Sequence, residues 1–256
     1  MGLFQNLFKP APPKPPPFQP PPVPAQLPKI TAPTAAQIAQ TAQPSPAAQQ
    51  ILAANPQQTP PQYLGALQEK QLGPDMTKTL AHGMPDREGV HWAAQSADKV
   101  SDKLPPHEVQ GMKAAQAWAK NPTPENQAAA AAAAAQGGCR GPGSLAAQGA
   151  AMSQPTAPAV PGVAAPPRLA PDAVAGSVLM SAGVKANPAV TVPTMTAPTV
   201  QAPGLAAPPL PMPQLAATAP QAPAIVPPEV QAQTFQQQHP FIKMGLDIAS
   251  GKNPVA

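Results

Sequence analysis

Apolar residues recur at helical spacing through the middle of the chain and lose that period toward both ends. Val90, Ala93, Ala94, Ala97 and Val100 follow steps of three and four. Val109, Met112, Ala115 and Ala119 do the same, with Trp118 beside them. Such steps place the residues on one face of a helix. The runs share an opening device: Pro74-Asp75, Pro85-Asp86, Pro124-Glu125, Pro171-Asp172 and Pro228-Glu229, with Pro106-His107-Glu108 as a looser copy. Proline at the first helical position loses nothing, because that N–H has no intrahelical partner, and the acid behind it meets the positive end of the helix dipole. Thr123 adds an N-cap before Pro124. Six starts marked this way predict an all-α fold. Short connections between them predict antiparallel neighbours in a small bundle.

Each stretch adds detail. Pro124–Gln136 holds eight consecutive alanines, 128–135, and stops at Gly137-Gly138; its small side chains predict close packing against neighbouring helices. Ser144–Met152 predicts a short helix. Pro171–Lys185 predicts a more apolar, central one. Pro228–Lys252 predicts a last helix, kinked or broken at Pro240, that returns to the core through Phe241, Ile242, Met244, Leu246 and Ile248. Thr34–Asn55 is rich in alanine and glutamine and predicts two short helices interrupted at Pro44 and Pro46.

The flanks read differently. In Met1–Lys9, Leu3, Phe4, Leu7 and Phe8 share one helical face. The segment is too short to stay helical alone, which makes it a candidate docking peptide. Pro10–Pro33 is polyproline-II by composition and predicts a stiff spacer. A second proline-rich stretch runs to Pro227 with no period. These observations divide the chain into an N-terminal docking peptide and proline-rich arm (1–60), a helical domain (61–187), a proline-rich linker (188–227) and a C-terminal helix (228–256). The fold expected is a small antiparallel helical bundle with long proline-rich extended arms.

Composition sharpens this picture. The 256 residues include 44 prolines and 17 glycines, close to the level of roughly 25% that marks low-complexity chains. Hydrophobic residues make up 43%, but alanine supplies much of that and aromatics only 3%, so the core is expected to be small-residue and modest. Seven of the 15 cations and eight of the 11 acids fall between Tyr63 and Gln136. The net charge of +4 is scattered along the chain, with no basic run interleaved with aromatics, so no nucleic-acid partner is predicted. No apolar stretch approaches the roughly 18 residues of a membrane span. The N-terminus lacks a basic and apolar leader pattern, and a cytoplasmic location is the expectation. Cys139, the single cysteine, sits in a glycine-rich loop and reads as a free thiol.

The densest polar cluster is His82–Trp92. Glu88 and His91 form one E-x-x-H, a unit that di-iron bundles use twice, together with two further glutamates. No second copy follows, and there is no HExxH, no GxSxG and no phosphate loop. No catalytic, cofactor-binding or metal-ligating residue is therefore assigned. Asp86 and Glu88 are expected to favour the helix start and Arg87 to pair on the surface. His91 and Trp92 are expected to pack between helices.

Four motifs in order resemble an uncharacterised bacterial all-helical family found near type VI secretion genes. They are Leu80–Ala93 with its His-Trp pair, Trp118 with Asn121-Pro-Thr-Pro-Glu-Asn126, Leu169–Leu179, and Phe241–Gly251. The resemblance covers roughly 75–185 and 240–251. His91, Gln127 and the long stretch 187–227 depart from the family pattern. It implies an accessory role and no catalytic residues. The function expected is a non-enzymatic adaptor or structural component of a large bacterial assembly, a type VI or related contractile secretion machine. Its partners would be protein components met through Leu3, Phe4, Leu7, Phe8, Trp92 and Trp118. The alternative is a secretion chaperone or effector-loading module that holds a client in the helical groove around the two tryptophans.

Overall fold

The computed structural model describes residues 18–153, 169–187 and 227–255. Among them the secondary structure is helical throughout. The α-helices are α1 Ala35–Ala42, α2 Pro46–Ala54, α3 Pro60–Glu69, α4 Gly73–Gly83, α5 Asp86–Asp98, α6 Pro106–Lys120, α7 Pro124–Gln136, α8 Pro142–Met152, α9 Ala170–Ala186 and α10 Pro228–Ala249. A short 3₁₀ turn, Ser101–Lys103, joins α5 to α6. No helix among the described residues is long and apolar enough to cross a membrane.

Each proline-acid pair lies at a helix start, although its position shifts. Proline is the first residue of α6, α7 and α10, the second of α4 and α9, and the N-cap of α5. The Thr123 hydroxyl accepts the Asn126 N–H of α7 at 3.3 Å, as its type predicts. Two of the acids, however, serve another helix. Asp75, near the start of α4, accepts both the backbone N–H (2.7 Å) and the hydroxyl (2.8 Å) of Ser45, the N-cap of α2. Glu108, in the first turn of α6, does the same for Ser144 of α8, at 2.8 Å for each bond.

Glu108 has no exposed surface, and the glycines of 137–143 make room for it. A Cβ on Gly141 would lie 2.2 Å from its carboxyl carbon, and one on Gly143 would lie 1.9 Å from its carbonyl oxygen. Gly111 faces the Gly143 carbonyl in turn, with its own Cβ site 2.8 Å away. Helices α6 and α8 thus meet backbone to backbone, and the run read as a plain loop is a packing joint. Helix α8 accordingly begins at Pro142, two residues before the expected start.

Helix α9 packs against α4, α5, α8 and α10 and buries ten residues, consistent with a central place. The alanine helix α7 buries only the stripe Ala130, Ala133 and Ala134, and its remaining alanines face outward. Helix α10 runs unbroken through Pro240, against the expected interruption. Phe235, Phe241, Ile242, Leu246 and Ile248 on it are all buried. The indole Nε1–H of Trp92, on α5, donates to the Phe241 carbonyl of α10 at 2.9 Å. Gly245 lies flat on that indole, where a Cβ would come within 2.7 Å of the ring.

The larger correction concerns the N-terminal arm. Leu27 and Ile30, assigned to a spacer, are buried in the same cluster as the helices, and so are Ile38, Ala42 and Ala48 of α1 and α2. The Lys29 amide donates to the Ala249 carbonyl at the end of α10 (3.1 Å), and its ammonium meets Glu88 at 3.0 Å. Gln68 holds the Pro21 carbonyl at 3.0 Å, and Phe18 stands edge-on to His239 with ring centres 5.2 Å apart. Residues 18–60 therefore belong to the body. A proline-dense tract still buries its occasional leucine or isoleucine when a groove lies alongside, and composition alone does not reveal the groove.

Candidate functional site

An open pocket of about 590 Å³ lies at the place where three helices end. Lys99 caps the C-terminus of α5, Lys185 lies in the last turn of α9, and Lys252 and Asn253 follow the end of α10. Lys243 and Met244 of α10, with Pro240 and Phe241 one turn earlier, form the facing wall. All four lysines are exposed, whereas Phe241 is buried. The Lys185 ammonium lies 5.6 Å above the Phe241 ring, within cation–π range. Asp247 is the one carboxylate in the lining, and it pairs with Lys243 at 2.6 Å on the same helix.

A polar ladder stiffens one side. Asn253 donates to the Gln95 side-chain oxygen at 2.9 Å, and the Gln95 amide nitrogen lies 2.8 Å from His91 Nε2. Burial depresses the His91 pKa first, and the neighbouring Arg87 guanidinium depresses it further. A neutral His91 therefore accepts from Gln95 through Nε2. Phe241, in the lining, is itself buried, and its carbonyl is held by the Trp92 indole. The pocket's chemistry is carried by long, exposed ammonium stems. The arrangement can hold anionic groups by charge, and no nucleophile–base pair faces into it.

The residues singled out from sequence are dispersed. Trp92 is wholly buried and Trp118 is 6% exposed, so neither indole offers a face to a partner in this conformation. Leu3, Phe4, Leu7 and Phe8 lie outside the described residues. Glu88 turns to Lys29 and His91 to Gln95, so the E-x-x-H pair does not converge. Arg87, expected to pair on the surface, donates to the Ala119 (2.7 Å) and Lys120 (3.1 Å) carbonyls and closes the C-terminal end of α6. His82 is held between Thr41 (3.2 Å) and Asp172 (3.1 Å), which ties α1, α4 and α9 together.

Sequence reasoning missed the four lysines. They lie up to 153 positions apart, and each reads in isolation as a cation complementing a helix end or solvating a surface. The nearest signal was their position, since three of them, Lys99, Lys185 and Lys252, fall at predicted helix C-termini.

Residues 63–196 match DUF6931, a family of unknown function. The chain belongs to this family. The DUF6931 match spans α3 to α9 and takes in Lys99 and Lys185, while Lys243 and Lys252, on and after α10, lie beyond it. The Phe241–Gly251 motif is likewise outside the matched range. No curated protein and no solved structure matches the chain.

Proposed function

We propose that this DUF6931 chain is a non-enzymatic adaptor, a structural component that joins protein partners within a larger assembly. The observation that carries the reading is the pocket: exposed lysines from three chain-distant segments surround one opening above the buried Phe241. Charged stems on a fixed frame suit recognition of another macromolecule, because the frame removes the need to organise the site upon binding. Three polar groups with reactive potential are committed to structural work elsewhere, Glu108 and Asp75 to serines and His82 to Thr41 and Asp172. The pinned tract from Phe18 to Lys29 supports a second contact point. It starts the segment carrying Leu3, Phe4, Leu7 and Phe8 from a defined place beside α10.

The resemblance of four motifs to a bacterial family near type VI genes suggests a contractile secretion machine as the assembly and the cytoplasm as the location. A chaperone holding a client around Trp92 and Trp118 would require the core to open, and the burial of both indoles weighs against it. The test is affinity capture of the tagged full chain from native cells, beside a chain lacking residues 1–17, read by mass spectrometry. Several assembly components, some of them lost with the truncation, are expected. One soluble client retained by both would favour the chaperone, and no partner for either would refute both readings.

A further inference from the structure

The lysine pocket has a definite charge problem. Lys99, Lys185, Lys243 and Lys252 are four of the chain's 15 cations, and only one of its 11 acids lines the same space. None of residues 1–17, 154–168 or 188–226 is aspartate or glutamate. We infer that the pocket receives an acidic segment of a partner protein, several carboxylates spaced along the chain with an apolar side chain among them. This inference rests on the adaptor reading and gives its partner a chemistry.

Three features favour carboxylates over phosphate. The pocket lies beside the C-terminal ends of α5, α9 and α10, whose partial negative charge offsets part of the lysine charge, and none of its lining residues is in the first turn of a helix. Compact phosphates are held instead by N-terminal amides and backbone nests. No arginine lines the space, so the bidentate fork that grips phosphate is missing from the lining. The cations are separate point charges on flexible stems around an opening of about 590 Å³, which fits dispersed anions better than one dense dianion. Pro240 and Met244 supply an apolar wall that a nucleic-acid backbone would not use and an apolar side chain between carboxylates would.

The experiment uses the full chain and a fluorescein-labelled 12-residue peptide alternating glutamate and leucine, followed by fluorescence anisotropy in 30 mM salt. The same peptide with glutamine for glutamate, a 12-nucleotide oligothymidylate and inorganic pyrophosphate are the comparison probes. Each of Lys99→Gln, Lys185→Gln, Lys243→Gln and Lys252→Gln should weaken binding about 1.5- to 5-fold, the range of exposed ion pairs. The quadruple variant should weaken it by about tenfold or more, and raising the salt to 300 mM should do the same by screening. A second quadruple variant, Lys70, Lys78, Lys103 and Lys113 to glutamine, carries the same charge change away from the pocket and should stay within about twofold of wild type.

Equal loss in both quadruple variants would overturn the site, leaving only non-specific charge attraction. Tighter binding of the oligonucleotide, or displacement of the peptide by pyrophosphate, would overturn the ligand class. So would binding of the glutamine peptide equal to that of the glutamate peptide. Cellular capture with the pocket variant separates the two levels of the argument. Partners retained while the peptide fails to bind would sink the pocket inference and leave the adaptor reading standing. Partners missing from wild type as well would sink the adaptor reading itself.

Discussion

Replacing Trp92 by alanine removes a fully buried indole and its hydrogen bond to the Phe241 carbonyl, and Gly245 provides an internal control for that loss. Large-to-small changes of buried aromatics cost about 3–5 kcal/mol. With a urea m-value of about 2 kcal/mol/M, the unfolding midpoint should fall by about 2 M. Gly245→Ala alone drives a methyl to within 2.7 Å of the indole, and such overpacking costs about 1–3 kcal/mol. Once Trp92 is alanine, the obstacle is gone. The same Gly245→Ala change should then stabilise, because alanine exceeds glycine by about 0.8–1 kcal/mol in a helix. The effect of one substitution thus reverses sign with the background, a coupling of about 2–4 kcal/mol. Urea titrations of the four proteins, followed by far-ultraviolet circular dichroism, measure it. An unchanged cost of Gly245→Ala in both backgrounds would mean that α10 does not rest on Trp92.

Other outcomes follow from the buried carboxylate and the histidines. Glu108→Ala leaves the buried Ser144 amide without its acceptor and the hydroxyl with only the Gly141 carbonyl at 3.1 Å, and should cost about 2–3 kcal/mol, read as a lower urea midpoint. Gly143→Ala puts a Cβ 1.9 Å from the Glu108 carbonyl and should cost at least about 2 kcal/mol by forcing α6 from α8; wild-type stability in this variant would refute the close approach. Burial holds both His91 and His239 below the ordinary value of 6.5, with Arg87 and Lys243 respectively adding to the depression. The unfolded chain then binds protons at higher pH than the folded one, so stability is full above about pH 6.5 and falls as the pH drops below it. Thermal melts between pH 7.5 and 5 should show that slope, and the His91→Gln, His239→Phe double variant should flatten it.

The sequence by itself determined where six of the helices begin. A proline with an acid behind it constrains its own backbone and meets its own helix dipole, and both effects act within one turn. The all-helical class was legible for the same local reason, and the closely spaced Phe241, Ile242, Leu246 and Ile248 of α10 are buried. What each acid finally touches was not legible. Glu108 and Asp75 reach serines 36 and 30 positions away, because the crossing of two helices, not the order of residues, sets those distances. The docking of Leu27 and Ile30 depends on a groove made by other segments. The candidate site lay wholly on the tertiary side. A lysine at a helix end looks the same whether it stands alone or faces three others, and only the meeting of α5, α9 and α10 turns a scattered charge into a pocket.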